Sequence, residues 1–122
     1  MSYIDGFLLP CPADRIVDYR KIAATACEVW LEHGALEYWE CVAEDMKNDF
    51  SRPFPEVIGA AEGETVVFAW IRYRSRAHRD EVNAKVMEDP RIASMSPESM
   101  PFDCKRMGYG GFEVLVGARA DG

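Results

Sequence analysis

The run Thr65-Val66-Val67-Phe68-Ala69-Trp70-Ile71-Arg72-Tyr73 is almost continuously apolar and rich in β-branched and aromatic residues. It has no helical period, so it predicts a strand. A strand that is apolar on both faces has to be covered on both, which places this one in the middle of a sheet. Any fold open to this chain has to supply that cover.

The period changes on either side of it. Tyr3 to Leu9 reads as a first strand, ended by Pro10 and Pro12, which remove ladder donors. From Ala13 onward Ile16, Tyr19, Ala23, Ala26 and Trp30 recur at three- and four-residue steps, with Asp14 near the start and Gly34 placed to close a helix in a left-handed cap. Leu36 to Val42 reads as a second strand with one wet or ligand-facing side. Asp45 to Glu64 loses periodicity and carries Pro53, Pro55, Gly59 and Gly63, so it is expected to be a lid, a dimer arm or a long hairpin with an extended tip.

After the central strand, Ser75 can cap a helix from Arg76 to about Glu88, with Ala77, Val82, Val86 and Met87 on its apolar face and Pro90 at its exit. Arg91 to Asp103 reads as irregular, with room for one helical turn. Met107 to Val116 closes the chain as a last strand. The Gly110-Gly111 pair inside it predicts a bulge, or a point where another backbone or a ligand comes close.

The order β-α-β-β-α-β predicts an α+β fold, the split βαβ arrangement in which a four-stranded antiparallel sheet carries two helices on one face. Two helices cover one side of a sheet. The other side, also apolar, calls for a partner, and a second copy of the chain is the simplest, so a homodimer is expected. The length of 122 residues fits a single domain spanning 1–122.

Composition narrows the partners. A net charge of −7 repels polyanions, and the nearest basic cluster, Arg72, Arg74, Arg76 and Arg79, is interleaved with Asp80 and Glu81, which reads as a solvated helix start. No nucleic-acid partner is expected. Met1 to Gly6 has no basic-then-apolar leader and no apolar run is long enough to cross a bilayer, so the expectation is a cytoplasmic protein without membrane contact. Cys11, Cys27, Cys41 and Cys104 form no zinc-binding spacing and read as free thiols, Cys27 and Cys41 in the core and Cys104 exposed and oxidisable. No metal site or cofactor motif is present: there is no phosphate-binding loop, and Gly108 to Gly111 lacks the strand–helix setting of one.

Side chains alternate across a strand, which divides each strand into two sets. A plain set, Ile4, Gly6 and Leu8 with Val67, Ala69, Ile71, Phe112, Val114 and Val116, suits packing under helices. The richer set contains Tyr3, Asp5, Phe7, Glu37, Trp39, Cys41, Phe68, Trp70, Arg72, Tyr109 and Glu113. Aromatics with a few charges serve a ligand pocket or a subunit interface equally well, and a dimer enclosing a cavity would combine the two.

Tyr3, Trp39, Phe68, Trp70, Arg72, Tyr109 and Glu113 are therefore the candidate substrate-binding residues. Asp5, Glu37 and His78 are the candidate catalytic ones. A carboxyl desolvated among aromatics rises in pKa and can act as a base; a salt bridge of these carboxylates to Arg72 is the alternative. His78, at the start of the second helix, and His33, at the end of the first, have capping roles as their alternative.

The stretches Tyr3 to Phe7, Glu32 to Tyr38, Glu62 to Phe68, Ser75 to Met87, Met100 to Asp103 and Lys105 to Glu113, taken together, resemble the YbaA-like family of small bacterial proteins over nearly the whole chain. The resemblance implies a ferredoxin-like protomer pairing into a dimeric α+β barrel, with two sheets facing each other around an interior. It brings no catalytic residue with it. The wider superfamily includes cofactor-independent monooxygenases, haem-degrading enzymes, chlorite dismutases and muconolactone isomerases. Haem degraders of this fold use an Asn, a Trp and a His; Trp70 and His78 are available here, but Asp5 stands where the Asn is wanted, so no cofactor is expected. The expectation is a monooxygenase- or isomerase-like enzyme acting on a small aromatic or conjugated substrate in the barrel interior; the alternative is a non-catalytic or stress-related homodimer that binds a small molecule.

Overall fold

The computed structural model describes residues 2–120. Met1, where the leader reading begins, and residues 121–122, which close the 1–122 span, lie outside the described residues. The strands are β1 (Tyr3–Pro12), β2 (Glu37–Val42), β3 (Glu64–Tyr73) and β4 (Gly108–Glu113), and the helices α1 (Ile16–Glu32), α2 (Phe54–Ile58), α3 (Arg76–Glu88) and α4 (Pro90–Ala93). The four strands form one antiparallel sheet in the order β2-β3-β1-β4. The apolar run lies inside it, as its composition demands. Val29 of α1 and Val82 and Val86 of α3 share a core with Tyr3, Ile71 and Tyr73, so both long helices lie on the same face.

Local chemistry explains the ends of α1 and α3. Gly34 takes φ 114° after α1, a conformation that side chains resist. Ser75 Oγ accepts from His78 N at 3.1 Å and satisfies one of the free amides at the start of α3. Asp89 likewise accepts from Arg91 N at 3.0 Å, and Pro90 opens α4 rather than a loop. Arg91 to Asp103 thus holds two helical turns, α4 and a 3-10 turn at Pro97–Ser99.

Other expectations are corrected. Pro10 and Pro12 do not end β1 but pair opposite Val66 and Glu64. Ala13 N donates to Gly63 O at 2.9 Å, so by alternation the nitrogens of Pro10 and Pro12 face away from β3. On that side β4 stops at Gly108, opposite Leu8, and no acceptor is left waiting. The Asp45 to Glu64 connection contains α2, begun by Pro53 and Pro55 and closed by Gly59 at φ 67°. Its Phe54 ring stacks 6.2 Å from Phe68 on the sheet. The last strand ends at Glu113, leaving Leu115 and Val116 exposed.

Gly110 and Gly111 make no bulge: β1 and β4 pair one to one from Tyr3–Glu113 to Leu8–Gly108. The close approach there is by side chains. A Cβ on Gly111 would stand 2.3 Å from the Tyr3 hydroxyl, while the Phe112 ring lies over Gly6 and Gly110 on the opposite face.

The register also redistributes the two sets of side chains. Residues directly opposite each other share a face, which puts Tyr3, Asp5, Phe7, Tyr109 and Glu113 with Tyr38, Glu40, Val67, Ala69 and Ile71 under the helices. Glu37, Trp39, Cys41, Phe68, Trp70 and Arg72 lie on the open face with Ile4, Gly6, Leu8 and Phe112. The richer set is therefore two half-sets on opposite faces. The split was hidden because a one-residue difference in phase between strands exchanges their faces. Cys41 is exposed rather than in the core, and Cys11 is the buried thiol; all four cysteines are free. Among the described residues no helix is long and apolar enough to cross a membrane.

Candidate functional site

Two apolar cores lie on the helix side of the sheet, one around Val29, Tyr73, Val82 and Val86 and the other around Leu9, Cys11, Tyr19 and Val67. Between them runs a cross-strand row, Tyr109–Phe7–Ala69–Glu40. The small Ala69 leaves this row low. Above it opens a cavity of about 590 Å3, walled by Tyr19, Ile22, Ala23, Ala26 and Trp30 of α1 and by Asn83 and Met87 of α3. Ile92, Met95, Met100, Phe102, Cys104 and Met107 form its roof. That volume is in the range of small-molecule sites, and methionine walls adapt to irregular shapes. The cavity lies on the helix side of the sheet, not on the side that an opposed second sheet would close.

One polar group of the cavity is Asp5, 1 % exposed. Arg79 Nη1 donates to its Oδ1 at 2.7 Å and to the Tyr109 hydroxyl at 2.9 Å, and the Arg79 guanidinium lies 5.1 Å from the Tyr3 ring centroid. Asn83 Oδ1 accepts from Trp30 Nε1 at 3.1 Å and from the Tyr73 hydroxyl at 3.3 Å, which turns its amide N–H toward Asp5. Burial holds the Asp5 carboxyl above the ordinary range, and the Arg79 charge with the hydrogen bonds of Arg79, Tyr109 and Asn83 pulls it back only in part.

A second polar group stands at the other end of the floor. Glu40 accepts from the Tyr19 hydroxyl at Oε1 and from the Tyr38 hydroxyl at Oε2, the latter over 2.6 Å. Burial first, and then the Glu40 charge, push both phenols far above their usual pKa, so they remain neutral donors. Two strand spacings and a two-residue offset separate Asp5 from Glu40, roughly 12 Å. The site is thus an apolar chamber with a carboxylate near each end.

Of the candidate catalytic residues only Asp5 lines this chamber. Glu37 is on the open face, ion-paired with Arg72, whose hydrogen bond is the chief cause of its lowered pKa. His78 is structural in its contacts: Nδ1 accepts from Arg74 N at 3.0 Å, and its ring lies edge-on to Tyr73 at 5.9 Å, while burial, then Arg74, lowers its pKa. Among the candidate binding residues, Tyr109 lines the cavity and Tyr3 packs beside it in the core. Glu113, paired opposite Tyr3, does not line the cavity. Trp39, Phe68, Trp70 and Arg72 belong to the open face, where Trp39 and Trp70 stack 6.4 Å apart.

Sequence reasoning missed Glu40, Tyr38, Asn83 and Arg79. Phase was the available signal: Tyr38 and Glu40 share a strand face, two residues apart, and Arg79 and Asn83 share a helix face, four apart. Arg79, read as solvated, is instead the partner of the buried carboxylate. Among the described residues no cluster of three His, Cys, Asp or Glu side chains could hold a metal ion.

Comparisons with known proteins agree with this architecture. The family described as "Protein of unknown function (DUF1428)" matches residues 2–104. The "Uncharacterized protein YbaA" of Escherichia coli strain K12 is 47% identical over 116 residues, covering 95% of this chain and 98% of that one. An uncharacterized NIPSNAP domain protein from Burkholderia xenovorans superposes with a TM-score of 0.59 over 97% of this chain and 99% of its own, at 12% identity. Rv0793 from Mycobacterium tuberculosis does so with a TM-score of 0.53 over 98% and 100%, at 18% identity. At such identities the two structures speak for the fold alone.

Proposed function

Since the chain belongs to the DUF1428 family, together with YbaA, and neither description carries an activity, we propose on the geometry of the site that it binds a small, largely apolar conjugated molecule in the chamber between sheet and helices. The observation that carries this reading is the chamber itself, a half-open cleft of about 590 Å3 beside two packed cores, lined mostly by apolar side chains. Concave, mostly apolar clefts of this size with a few polar groups are the usual form of small-molecule sites. Calorimetric titration with naphthol, a neutral aromatic alcohol, tests it. Saturable binding of one naphthol per chain is expected, and no saturable binding of naphthol or of any charged aromatic probe would overturn it.

Turnover, in the monooxygenase- or isomerase-like sense, is the second reading. It is favoured by Asp5, a cavity-lining carboxyl whose proton affinity burial has raised, the direction a general base needs. In that case Asp5→Asn keeps naphthol binding and removes conversion of the natural substrate.

We also infer that the single 1–122 domain works as a homodimer, a second copy covering the open face of the sheet in the manner of a dimeric α+β barrel. What supports it is an exposed aromatic patch: Trp39 is 53% exposed, Phe68 46% and Phe112 59%. Such a patch on a sheet face is typical of an interface. Sedimentation of the paired substitution Trp39→Glu and Phe68→Glu is expected to yield a folded monomer from a wild-type dimer; a monomeric wild type would end this reading.

A further inference from the structure

The two carboxylates of the chamber are not equivalent. The charge of Asp5 is met by Arg79 at 2.7 Å. Glu40 has each of its two oxygens occupied by a phenol donor, yet among the described residues no cation pairs with it. Glu40 is half-buried on the edge strand β2 and lines an apolar space without a counter-charge beside it. Its charge is therefore open to a cation that arrives with the ligand.

The walls around Glu40 suit that arrival. Trp30 and Tyr38 stand 6.1 Å apart with planes at 46°, and Tyr19 meets Phe102 edge to face at 5.6 Å. All four rings line the cavity together with Glu40. Aromatic faces attract cations, more strongly where water is excluded, so rings that share a cavity with a carboxylate add to its attraction for an ammonium group. Much of the remaining lining is hydrocarbon and thioether, from Ile22, Ala23, Met100 and Met107 among others, which receives an uncharged body. Among the described lining residues there is no Lys or Arg, and the nearby Arg79 is already committed to Asp5, Asp80 and Tyr109, so an anionic ligand would be opposed by Glu40.

Building on the chamber as a binding site, we propose that its ligand class is the amphiphilic monoamine: an apolar, aromatic or alkyl body carrying one primary or secondary ammonium, seated with that ammonium on Glu40 between Tyr19 and Tyr38. Its N–H groups donate to the lone pairs of Glu40 that the phenols leave open. Its body lies along the Ala69 floor toward Phe7.

Three probes of equal length and different charge separate this from simple apolar binding: phenylbutylamine, phenylbutanol and phenylbutyrate, titrated calorimetrically near neutral pH into the wild-type chain. The amine is expected to bind more tightly than the alcohol by at least about tenfold, the value of one charge-assisted contact with a flanking π face, and the carboxylate most weakly. Glu40→Gln is expected to erase the preference for amine over alcohol while leaving the affinity for alcohol intact. Tyr38→Phe, which keeps the carboxylate, is expected to keep the preference, and it serves in its own right should Glu40→Gln fold poorly. Equal binding of amine and alcohol, or a preference that survives Glu40→Gln, overturns the amine assignment and leaves the chamber reading standing. Failure of all three probes and of naphthol to bind overturns both.

Discussion

Trp30 donates its indole N–H to Asn83 Oδ1 over 3.1 Å, joining α1 to α3 at the wall of the chamber. The same oxygen accepts from Tyr73, and the amide N–H faces Asp5, so one side chain answers three buried groups on three elements. Asn83→Leu preserves the volume, strands the Trp30 and Tyr73 donors and takes one donor from Asp5, which keeps Arg79. Each buried group left unsatisfied costs about 1–3 kcal/mol, and the groups are coupled, so a total loss of roughly 3 kcal/mol is expected in urea unfolding. A loss under about 1 kcal/mol would mean that water substitutes for the amide, and the wall would then be wetter than its lining implies.

The roof is clipped down by a charge pair. Glu64 accepts from Arg106 Nη1 at 2.7 Å and Nη2 at 2.8 Å, and Arg106 Nη2 also donates to Gly59 O at 2.9 Å. The Arg106 hydrogen bonds, followed by one from Ala61 N, hold the Glu64 carboxyl at about 2 against an ordinary 4.5. A carboxyl whose pKa is lower folded than unfolded adds stability above its unfolded value and loses it as pH falls through the folded one. Wild type should therefore exceed Glu64→Gln in stability at pH above 4.5, with the difference shrinking toward zero as pH approaches 2. Urea midpoints of both proteins across that window check it, and a gap that does not change with pH would disprove the pairing.

Much of the fold was legible because its signals are local. The Ser75 cap, the positive φ of Gly34 and the apolar run of β3 each depend on residues within a few positions of one another. The site was less legible because it depends on phase between distant strands. Reading Tyr3, Asp5 and Phe7 together with Glu37, Trp39 and Cys41 joined residues that the register places on opposite faces, and so gathered Asp5 with Trp39 and passed over Glu40. The prolines misled for a related reason. Their cost depends on whether the neighbouring strand reaches that far, which β4 does not. Arg79 could not be told from its solvated neighbours until a buried carboxylate stood opposite it.

Adjacent glycines in β4 are predicted to behave oppositely. A Cβ at Gly111 would meet the Tyr3 ring at 2.9 Å and its hydroxyl at 2.3 Å, and Tyr3 is held in the core by Tyr73 and Val82. At Gly110 the Cβ would find the Phe112 ring at 3.6 Å, an ordinary contact. Gly111→Ala is expected to cost about 1–3 kcal/mol by displacing the ring, and Gly110→Ala to stay within about 0.5 kcal/mol of wild type. Thermal unfolding of the two single variants decides it; similar losses in both would mean that strand geometry, not the Tyr3 ring, sets the requirement.

Ala69 gives the most direct access to the chamber. It lies in β3 between Phe7 and Glu40, and its small side chain is what leaves the floor low. In a filled core, adding three carbons typically costs about 1–3 kcal/mol through displaced neighbours. Here Ala69→Leu projects into open space lined by Ile22, Ala23 and Met107, so the added carbons gain contacts without moving a wall. The variant is expected to unfold within about 1 kcal/mol of wild type, or above it, since burying each added methylene contributes roughly 0.8 kcal/mol. Naphthol affinity should fall by at least about tenfold, because the ligand and the new side chain compete for one volume. Stability and binding thus move independently at this residue. A variant that is strongly destabilised would mean the chamber closes in solution, and a variant that binds naphthol undiminished would place the binding elsewhere on the molecule.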